Sequence, residues 1–415
     1  MQIKLKNALC LIDGQISSRD IYIKDTKASF APMDEEVLCE FDNCIFSPGF
    51  LDVHVHLREP GFSMKERIAT GTAAAARGGY TDICSMPNLN PVPDSPSTLK
   101  TQTDIIEKDA VIGVHPYGAI TKCEAGLELA DMDGMAEKVC AFSDDGRGVQ
   151  NDEMMKAAML KAKSLGKIIA AHCEDNSLLF GGYINSCAYQ RANGHKGISN
   201  ESEYKQIERD LNLVRETGCD YHVCHISTKE SVDLIRKAKA EGLPVTCETG
   251  PHYLVLCDED LQEDARFKMN PPLRSREDMM ALRQGIADGT IDMIATDHAP
   301  HTTEEKSLGL EKSPMGITGI ETAFAIMYTE LVQKGIITME KLLELMITNP
   351  RKRFGIPPKE GSFTVLSTER KYTIDPNTFL SMGKITPFAG KEVCGECLMT
   401  VYNRRLVWQS NMIER

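Results

Sequence analysis

Between about residue 50 and about residue 350, short apolar runs alternate with amphipathic or polar stretches of helical length. This alternation is expected of repeated β/α units around a parallel sheet. Eight candidate strands can be counted, namely Phe50–His56, Thr81–Pro87, Val114–Ile120, Val139–Asp145, Lys167–Glu174, Tyr221–Ser227, Leu243–Thr249 and Asp292–His298. Eight such units predict an α/β fold in which residues 50–355 form a closed (β/α)8 barrel of the TIM type.

The two ends of the chain have a different pattern. Residues 1–49 and 356–415 show short β-type runs separated by turns, with little helical periodicity. The simplest assembly is a composite small β domain to which both ends contribute strands. The sequence therefore predicts two units, the barrel at 50–355 and the β domain from 1–49 plus 356–415.

Composition excludes several classes of function. A net charge of −13 argues against nucleic-acid binding, which needs a basic face. No run of about eighteen apolar residues occurs, and the start MQIKLKNALC has no secretory pattern, so we expect no membrane span and a cytoplasmic location. The fourteen cysteines are scattered, and even the pair Cys394 and Cys397 is better explained as strand thiols than as a metal or redox site.

The strongest local pattern is HVHLR at residues 54–58, in the first candidate strand. His54 and His56 stand two residues apart on a strand, so their side chains are expected on the same face. Active sites of barrels lie at the carboxyl ends of the strands, where two such imidazoles can share a metal ion. Arg58 has the same parity and is placed just beyond them, where its guanidinium could hold a carboxylate.

Three more polar residues end apolar runs in the same way: His172 ends KIIAAH, His225 ends YHVCH and Asp297 ends DMIATD. Together with His54 and His56 they are hard to explain as packing residues. Five ligands exceed the four of a tetrahedral zinc centre, so either one of them is not a ligand or two metals share the set.

Two metals need a bridging ligand. A carboxylate is available at the end of the fourth candidate strand, where neighbouring residues face opposite ways and only one of Asp144 and Asp145 is expected to enter the site. A carbamylated Lys138 is the rival bridge, but it falls at the start of that strand, the wrong end for catalysis. Parity also predicts that His222 and His298 face away from the metals.

The motifs HVHLR, MPN, FSDDG, AHCED, CHIST, MNPPLR and ATDHAPH follow one another in this order. With them the chain resembles the dihydroorotases of the amidohydrolase superfamily, in the long bacterial class whose members bridge their metals with aspartate. The resemblance covers nearly the whole chain. It departs at residues 361–366, where GSFTVL stands in place of a segment that usually reads like Ala-Asp-Leu, and it is not close over residues 178–200.

The resemblance implies two Zn²⁺ ions per chain and a role for each motif residue. One metal would be held by His54, His56 and Asp297, the other by His172 and His225, with Asp145 as the bridge. The implied contacts to substrate are His56, Arg58, Asn88, Asn270, His301 and the Met315-Gly316 backbone.

The reaction that the resemblance implies is the reversible closure of N-carbamoyl-L-aspartate to L-dihydroorotate, a step of pyrimidine biosynthesis. Asp297 would take a proton from the attacking water and pass it to the departing amide nitrogen. The expected partner is this small molecule, and a homo-oligomer is compatible with the sequence. Two alternatives stay open: an allantoinase or hydantoinase-like enzyme, and a non-catalytic barrel that supports a partner such as a carbamoyltransferase.

Overall fold

The computed structural model describes residues 2–33 and 36–413. Its first strands form one half of a sheet, in which β1 pairs antiparallel with β2 and parallel with β4 and β5. Buried residues such as Ile21 and Ile23 alternate with more exposed ones along β2, as expected for a sheet with one covered face. The strands are β1 Gln2–Ile12, β2 Gln15–Lys24, β3 Lys27–Ser29, β4 Val37–Asp42 and β5 Cys44–Ser47.

The next strands form the barrel, apart from the short pair β12 and β13. They are β6 Phe50–Val55, β7 Tyr80–Ser85, β8 Gly113–Pro116, β9 Gly118–Ala119, β10 Phe142–Ser143, β11 Ile169–Ala171, β12 Ile184–Asn185, β13 Gly197–Ile198, β14 Tyr221–Val223, β15 Val245–Thr249 and β16 Met293–Ile294. All barrel pairs are parallel, in the orders β6-β7-β8 and β9-β10-β11-β14-β15-β16. Since β8 and β9 are separated only by Tyr117, together they count as one of the eight strands of the barrel. A parallel bridge between Val55 and His298 closes the barrel.

Helices follow the barrel strands and cover them. They are α1 Ile68–Arg77, α2 Pro96–Asp109, α3 Met132–Met135, α4 Asp152–Ser164, α5 Ala188–Asn193, α6 Glu201–Thr217, α7 Lys229–Ala240, α8 Pro251–Val255, α9 Arg276–Asp288, α10 Thr303–Lys306, α11 Gly309–Lys312, α12 Ala323–Met327, α13 Met339–Leu343 and α14 Asn349–Phe354. The π-helical segments Tyr328–Val332 and Glu344–Thr348 extend α12 and α13. Caps fix several starts; the Ser275 side chain, for example, accepts from the Asp278 N–H at the start of α9.

The last strands complete the terminal sheet. They are β17 Phe363–Thr373, β18 Glu392–Tyr402 and β19 Arg405–Gln409. Because β17 pairs with both β5 and β18, strands from the two ends of the chain lie in one eight-stranded sheet. The segment 361–366, where the sequence departs from its resemblance, therefore enters a regular strand. The barrel and the terminal sheet confirm the predicted fold, while the boundaries at 49/50 and 355/356 stay a prediction.

Several barrel strands are shorter than predicted. Within the candidate strand Val139–Asp145 only Phe142–Ser143 form a regular strand, and within Asp292–His298 only Met293–Ile294 do, with a separate bridge at His298. Beyond the regular strands the backbone turns, and both His225 and Asp297 have left-handed φ angles, of 30° and 46°. Side-chain alternation requires an extended backbone, so the parity argument does not hold at these positions.

All fourteen cysteines are free thiols. Cys394 and Cys397 are buried in β18, where the Cys394 thiol donates to the Thr368 carbonyl oxygen at 3.1 Å. They are therefore strand thiols, as predicted. Within residues 2–33 and 36–413, no helix is both long and apolar enough to cross a membrane.

Candidate active site

Six histidine and aspartate side chains converge at the carboxyl ends of the barrel strands. Each lies near the end of a strand or within the few residues that follow it, and each is at most 7% exposed. They are His54, His56, Asp145, His172, His225 and Asp297. The closed barrel brings the ends of its strands together, so residues far apart in sequence become neighbours. The six residues that the sequence grouped are thus brought to one place.

Asp145 stands at the centre of this group. Its Oδ1 lies 3.4 Å from Nε2 of His54 and 3.6 Å from Nε2 of His225, and its Oδ2 lies 3.5 Å from Nε2 of His56. Nδ1 of His172 is 3.8 Å from Oδ1. The ligand atoms form two clusters, His54–His56–Asp145 and Asp145–His172–His225, each within 4.8 Å. Asp145 belongs to both, which is the arrangement that a bridging carboxylate requires.

Two of these atoms have no hydrogen-bond partner although they are buried. Among the described residues, Nε2 of His54 and Oδ1 of Asp145 are without one, whereas Nε2 of His172 lies 3.5 Å from Oε2 of Glu174. An unsatisfied buried nitrogen or oxygen costs free energy, so the two that face each other at 3.4 Å need a further group between them. Neutral imidazoles and carboxylates are ligands of divalent transition metals, and the donor set therefore fits metal ions.

The two site carboxylates are strongly acidic. Burial alone would raise the pKa of both, but the surrounding imidazoles outweigh it. The pKa of Asp145 falls well below its ordinary value, and that of Asp297 falls to about 2 with a hydrogen bond from His56. Burial also lowers the pKa of His56, which favours its neutral form. At neutral pH the site thus presents two carboxylates beside an imidazole that can donate its lone pair.

Glu248 is a buried carboxylate that the sequence analysis missed. Its Oε1 lies 2.6 Å from Nδ1 of His54, and its Oε2 lies 3.0 Å from Nε2 of His222. Burial opposes ionisation, but the neighbouring His54 and His222 lower the pKa of Glu248 overall. A carboxylate accepts from Nδ1–H of His54 and so leaves Nε2 of that ring free to face Asp145. The sequence signal that could have identified Glu248 is that it is a single charged residue in the candidate strand Leu243–Thr249.

A cavity of about 220 Å³ opens above the six residues. All seven predicted substrate contacts line it: His56, Arg58, Asn88, Asn270, His301, Met315 and Gly316. Gly146 and Ala299 line it as well and were not predicted. At Gly316 the φ angle is 132°, and a Cβ there would approach the Ala299 carbonyl oxygen to 2.6 Å, so this wall requires glycine.

One wall of the cavity is positively charged. Nη2 of Arg58 lies 3.4 Å from Nε2 of His301, and Nζ of Lys65 lies 3.3 Å from Nδ1 of the same ring. Burial and these two cations lower the pKa of His301 to about 3, so the imidazole is neutral. The pKa of Arg58 is lowered by burial only to about 10, and it stays charged at neutral pH. This wall is suited to an anion.

Two amides complete the lining. Nδ1 of His56 lies 2.9 Å from Oδ1 of Asn88, a contact that directs Nε2 of that ring toward the aspartates. Asn270 donates to Oε2 of Glu174 at 3.1 Å, and its own Oδ1 is buried with no partner in the part of the chain that the structure describes. Glu174 was not predicted, although it stands two residues after His172 and parity could have indicated it.

The residues that the sequence set aside lie outside the group of six. Asp144 turns away and accepts the backbone N–H groups of Ile120 and Thr121 at 2.8 and 3.0 Å. Lys138 is exposed at the surface, far from a bridging position. The His298 side chain faces Glu66, and its Nε2 lies 3.5 Å from Oε2 of Glu66.

The fold resembles solved structures of cyclic-amide hydrolases. An L-hydantoinase (dihydropyrimidinase) from Arthrobacter aurescens superimposes with a TM-score of 0.84 at 25% identity, covering 98% of this chain and 96% of that one. A D-hydantoinase matches with a TM-score of 0.84 at 23% identity, covering 99% and 95%. The chain thus has the barrel of the amidohydrolases, which use metal ions.

Sequence comparisons identify the family within the amidohydrolases to which this chain belongs. The model of the family described as dihydro-orotase-like matches residues 44–231. A dihydroorotase of Fusobacterium nucleatum is 50% identical, over 97% of this chain and 98% of that protein. A dihydroorotase of Bacillus cereus (strain G9842) is 47% identical, over 96% of each. The chain belongs to the dihydroorotase family.

Proposed function

We propose that this chain catalyses the reversible closure of N-carbamoyl-L-aspartate to L-dihydroorotate, with loss of water, in pyrimidine biosynthesis. Family membership supports this reaction, and the observation that carries it is the cavity in which Arg58 and His301 stand beside the acidic cluster around Asp145. A carboxylate on the substrate would meet the cationic wall while its amide faces the aspartates. This chemistry is that of a hydrolase acting on a cyclic amide.

We infer that the cluster holds two divalent ions, with zinc as the expected metal. His54, His56 and Asp297 would hold one, His172 and His225 the other, and Asp145 both. Its central position and the unpartnered buried atoms around it support this assignment. When bound, such ions supply an activated water near neutral pH and polarise the amide carbonyl.

Asp297 is the proton carrier in this proposal. Its carboxylate is ionised, which leaves it free to accept a proton from the attacking water in the hydrolytic direction. The same carboxyl then donates that proton to the departing ring nitrogen. Nε2 of His56 lies 3.1 Å from Oδ1 of Asp297, so both atoms can reach the same metal ion, which would hold the carboxylate in place.

The charged wall selects the substrate. The guanidinium of Arg58 is held against the Pro300 carbonyl oxygen at 3.3 Å and can offer its remaining N–H groups to a carboxylate. The amide of Asn88 and the imidazole of His301 border the same space. The unpartnered Oδ1 of Asn270 is an acceptor for a ring N–H. Together these groups orient the ring and its side carboxylate.

One assay tests the proposal. The purified protein should cyclise N-carbamoyl-L-aspartate at acidic pH and hydrolyse L-dihydroorotate at alkaline pH, and metal content should be measured on the same sample. Hydrolysis of hydantoins or allantoin without turnover of dihydroorotate would contradict the substrate. Absence of all these activities in a metal-loaded sample would favour a supporting role.

We propose two further points from the sequence: division at 49/50 and 355/356 into a barrel and a composite β domain, and a cytoplasmic location. A homo-oligomeric state is compatible with the sequence. Limited proteolysis, fractionation and light scattering test the division, the location and the oligomeric state in turn.

A further inference from the structure

Lys306 is a buried lysine at the end of α10, only 4% exposed. Its Nζ donates to three carbonyl oxygens, those of Lys268 at 3.2 Å, Pro314 at 3.1 Å and Gly316 at 2.8 Å. Within residues 2–33 and 36–413, no carboxylate forms an ion pair with it. An ammonium has three N–H donors, so the three carbonyls use all of them.

The three carbonyls belong to two segments of the cavity wall. Pro314 and Gly316 flank Met315, and Lys268 lies two residues before Asn270. The segments also contact each other directly, because the Gly316 N–H donates to the Lys268 carbonyl oxygen at 3.1 Å. Lys306 therefore closes a junction between the segment 314–316, which follows α11, and the loop that carries Asn270.

We propose that Lys306 is a positioning residue whose ammonium group clamps these two substrate-contacting segments in the geometry that binds the ring. The inference rests on the proposed function, since it assigns a task to the same cavity. Lys306 does not line the cavity, so it acts through backbone and not by contact with substrate.

The charge of Lys306 is part of this clamp. Hydrogen bonds from an ammonium are stronger than those from a neutral amine, which has only two N–H groups and directs its lone pair at the third carbonyl. Burial, and then the charge of Lys268, lower the pKa of Lys306 to about 7, while Asp264 and Glu305 act weakly in the opposite direction. His301 is the remaining titratable group that interacts with it.

The KM for substrate should depend on the ionisation of Lys306. Below about pH 7 the ammonium holds all three carbonyls, and as pH rises through about 7 the clamp loses a donor. We therefore expect KM to rise above neutral pH with a smaller change in kcat. Removal of the positive charge of Lys268 should raise the pKa of Lys306 and move this rise to higher pH.

The test uses Lys306→Met, Lys306→Arg and the matched control Lys268→Met. Lys268 is equally buried, but its Nζ binds the Glu311 carbonyl oxygen at 2.6 Å and lies over the Tyr183 ring, so it does not hold the clamp with its side chain. Lys306→Met should raise KM about tenfold at pH 6.5 with kcat within about threefold, and should abolish the pH dependence of KM. Lys306→Arg should restore part of the affinity.

Hydrogen exchange of peptides covering 266–271 and 313–318 gives a readout that needs no substrate. In Lys306→Met both segments should lose protection, whereas in Lys268→Met they should keep it at pH 7. Unchanged KM and exchange in Lys306→Met, or an equal effect of Lys268→Met, would overturn the inference. If Lys306→Met does not fold, hydrogen exchange of the same peptides is measured in the wild type and in Lys268→Met across pH 6 to 9. Protection should fall as pH rises in the wild type and should fall at higher pH in Lys268→Met, and pH-independent protection in both would overturn the inference.

The exchange measurement separates the two proposals. A wild-type protein without activity on dihydroorotate would refute the proposed function, while the pH-dependent protection would still test the clamp. Normal activity with pH-independent KM and protection would refute the clamp alone.

Discussion

Replacement of Glu248 by glutamine should weaken metal binding without unfolding the protein. Glu248 lies behind the site, where it contacts His54, His222 and the backbone N–H of His225 at 2.6, 3.0 and 3.3 Å. Glutamine has the same shape and keeps one oxygen that can accept from Nδ1–H of His54. The negative charge behind that imidazole is lost.

The contacts of Glu248 determine how much folding stability and metal affinity the substitution should cost. The new amide nitrogen faces Nε2 of His222, which can accept if the ring carries its proton on Nδ1 and donates to Oγ1 of Thr246, 2.9 Å away. Because a tautomer change satisfies every group, we expect only a small loss of folding stability. Loss of an outer partner of a metal-binding histidine typically costs 10- to 100-fold in metal affinity, or about 1.4 to 2.7 kcal/mol.

The assay is competition with a chromophoric chelator, followed by metal analysis of the dialysed protein. Asp82→Asn is the matched control, because Asp82 is also a buried carboxylate with a histidine partner, His115 at 3.1 Å, and an arginine partner, Arg351 at 2.9 Å. It should lose stability and keep its metal affinity. An unchanged affinity in Glu248→Gln, or an equal loss in Asp82→Asn, would refute the reasoning.

Four further outcomes are expected. Asp297→Asn should abolish turnover while most metal is retained, because the amide cannot carry the proton; full activity would contradict its role. Asp145→Ala should lose at least one metal per chain by metal analysis, whereas Lys138→Met should lose none. Arg58→Lys should raise KM for N-carbamoyl-L-aspartate by about tenfold, because an ammonium cannot bind a carboxylate bidentately; an unchanged KM would place the carboxylate elsewhere. Burial raises the pKa of Glu124 to about 9, so the folded protein holds that proton more tightly than the unfolded chain; between pH 6 and pH 9 wild type should lose roughly 4 kcal/mol of stability relative to Glu124→Gln, measured by denaturant titration.

The barrel could be predicted because its signal is repeated eight times. Each buried parallel strand is a short apolar run, and a polar residue at its end is conspicuous there. His172 and Asp297 were identified in this way. The argument from parity reached residues that the fold brings together, but for an incomplete reason, since the backbone at Asp297 has already left the extended conformation.

Other parts of the site could not be predicted from local pattern. Glu248 contacts His54 across 194 residues of sequence, and its role depends on which strands are adjacent in the closed barrel. The clamp of Lys306 depends on three backbone carbonyls, which have no sequence signature. Lys306 itself stands in a wholly polar segment, TTEEK, where a surface role is the natural expectation.

The distribution of charge explains how an acidic protein can bind an acidic substrate. The net charge is −13, but exposed charges more than about 8 Å away are largely screened at physiological ionic strength. Charges inside a cavity are screened much less, and Arg58 and Lys306 lie at one side of this cavity, beside Lys65, which is paired with Glu305 at 2.9 Å. The carboxylates Asp145 and Asp297 lie at the other side, where bound metals would offset them. We therefore propose that recognition depends on a local gradient from the cationic wall to the acidic cluster with its bound metals, which would orient the substrate carboxylate and amide in opposite directions.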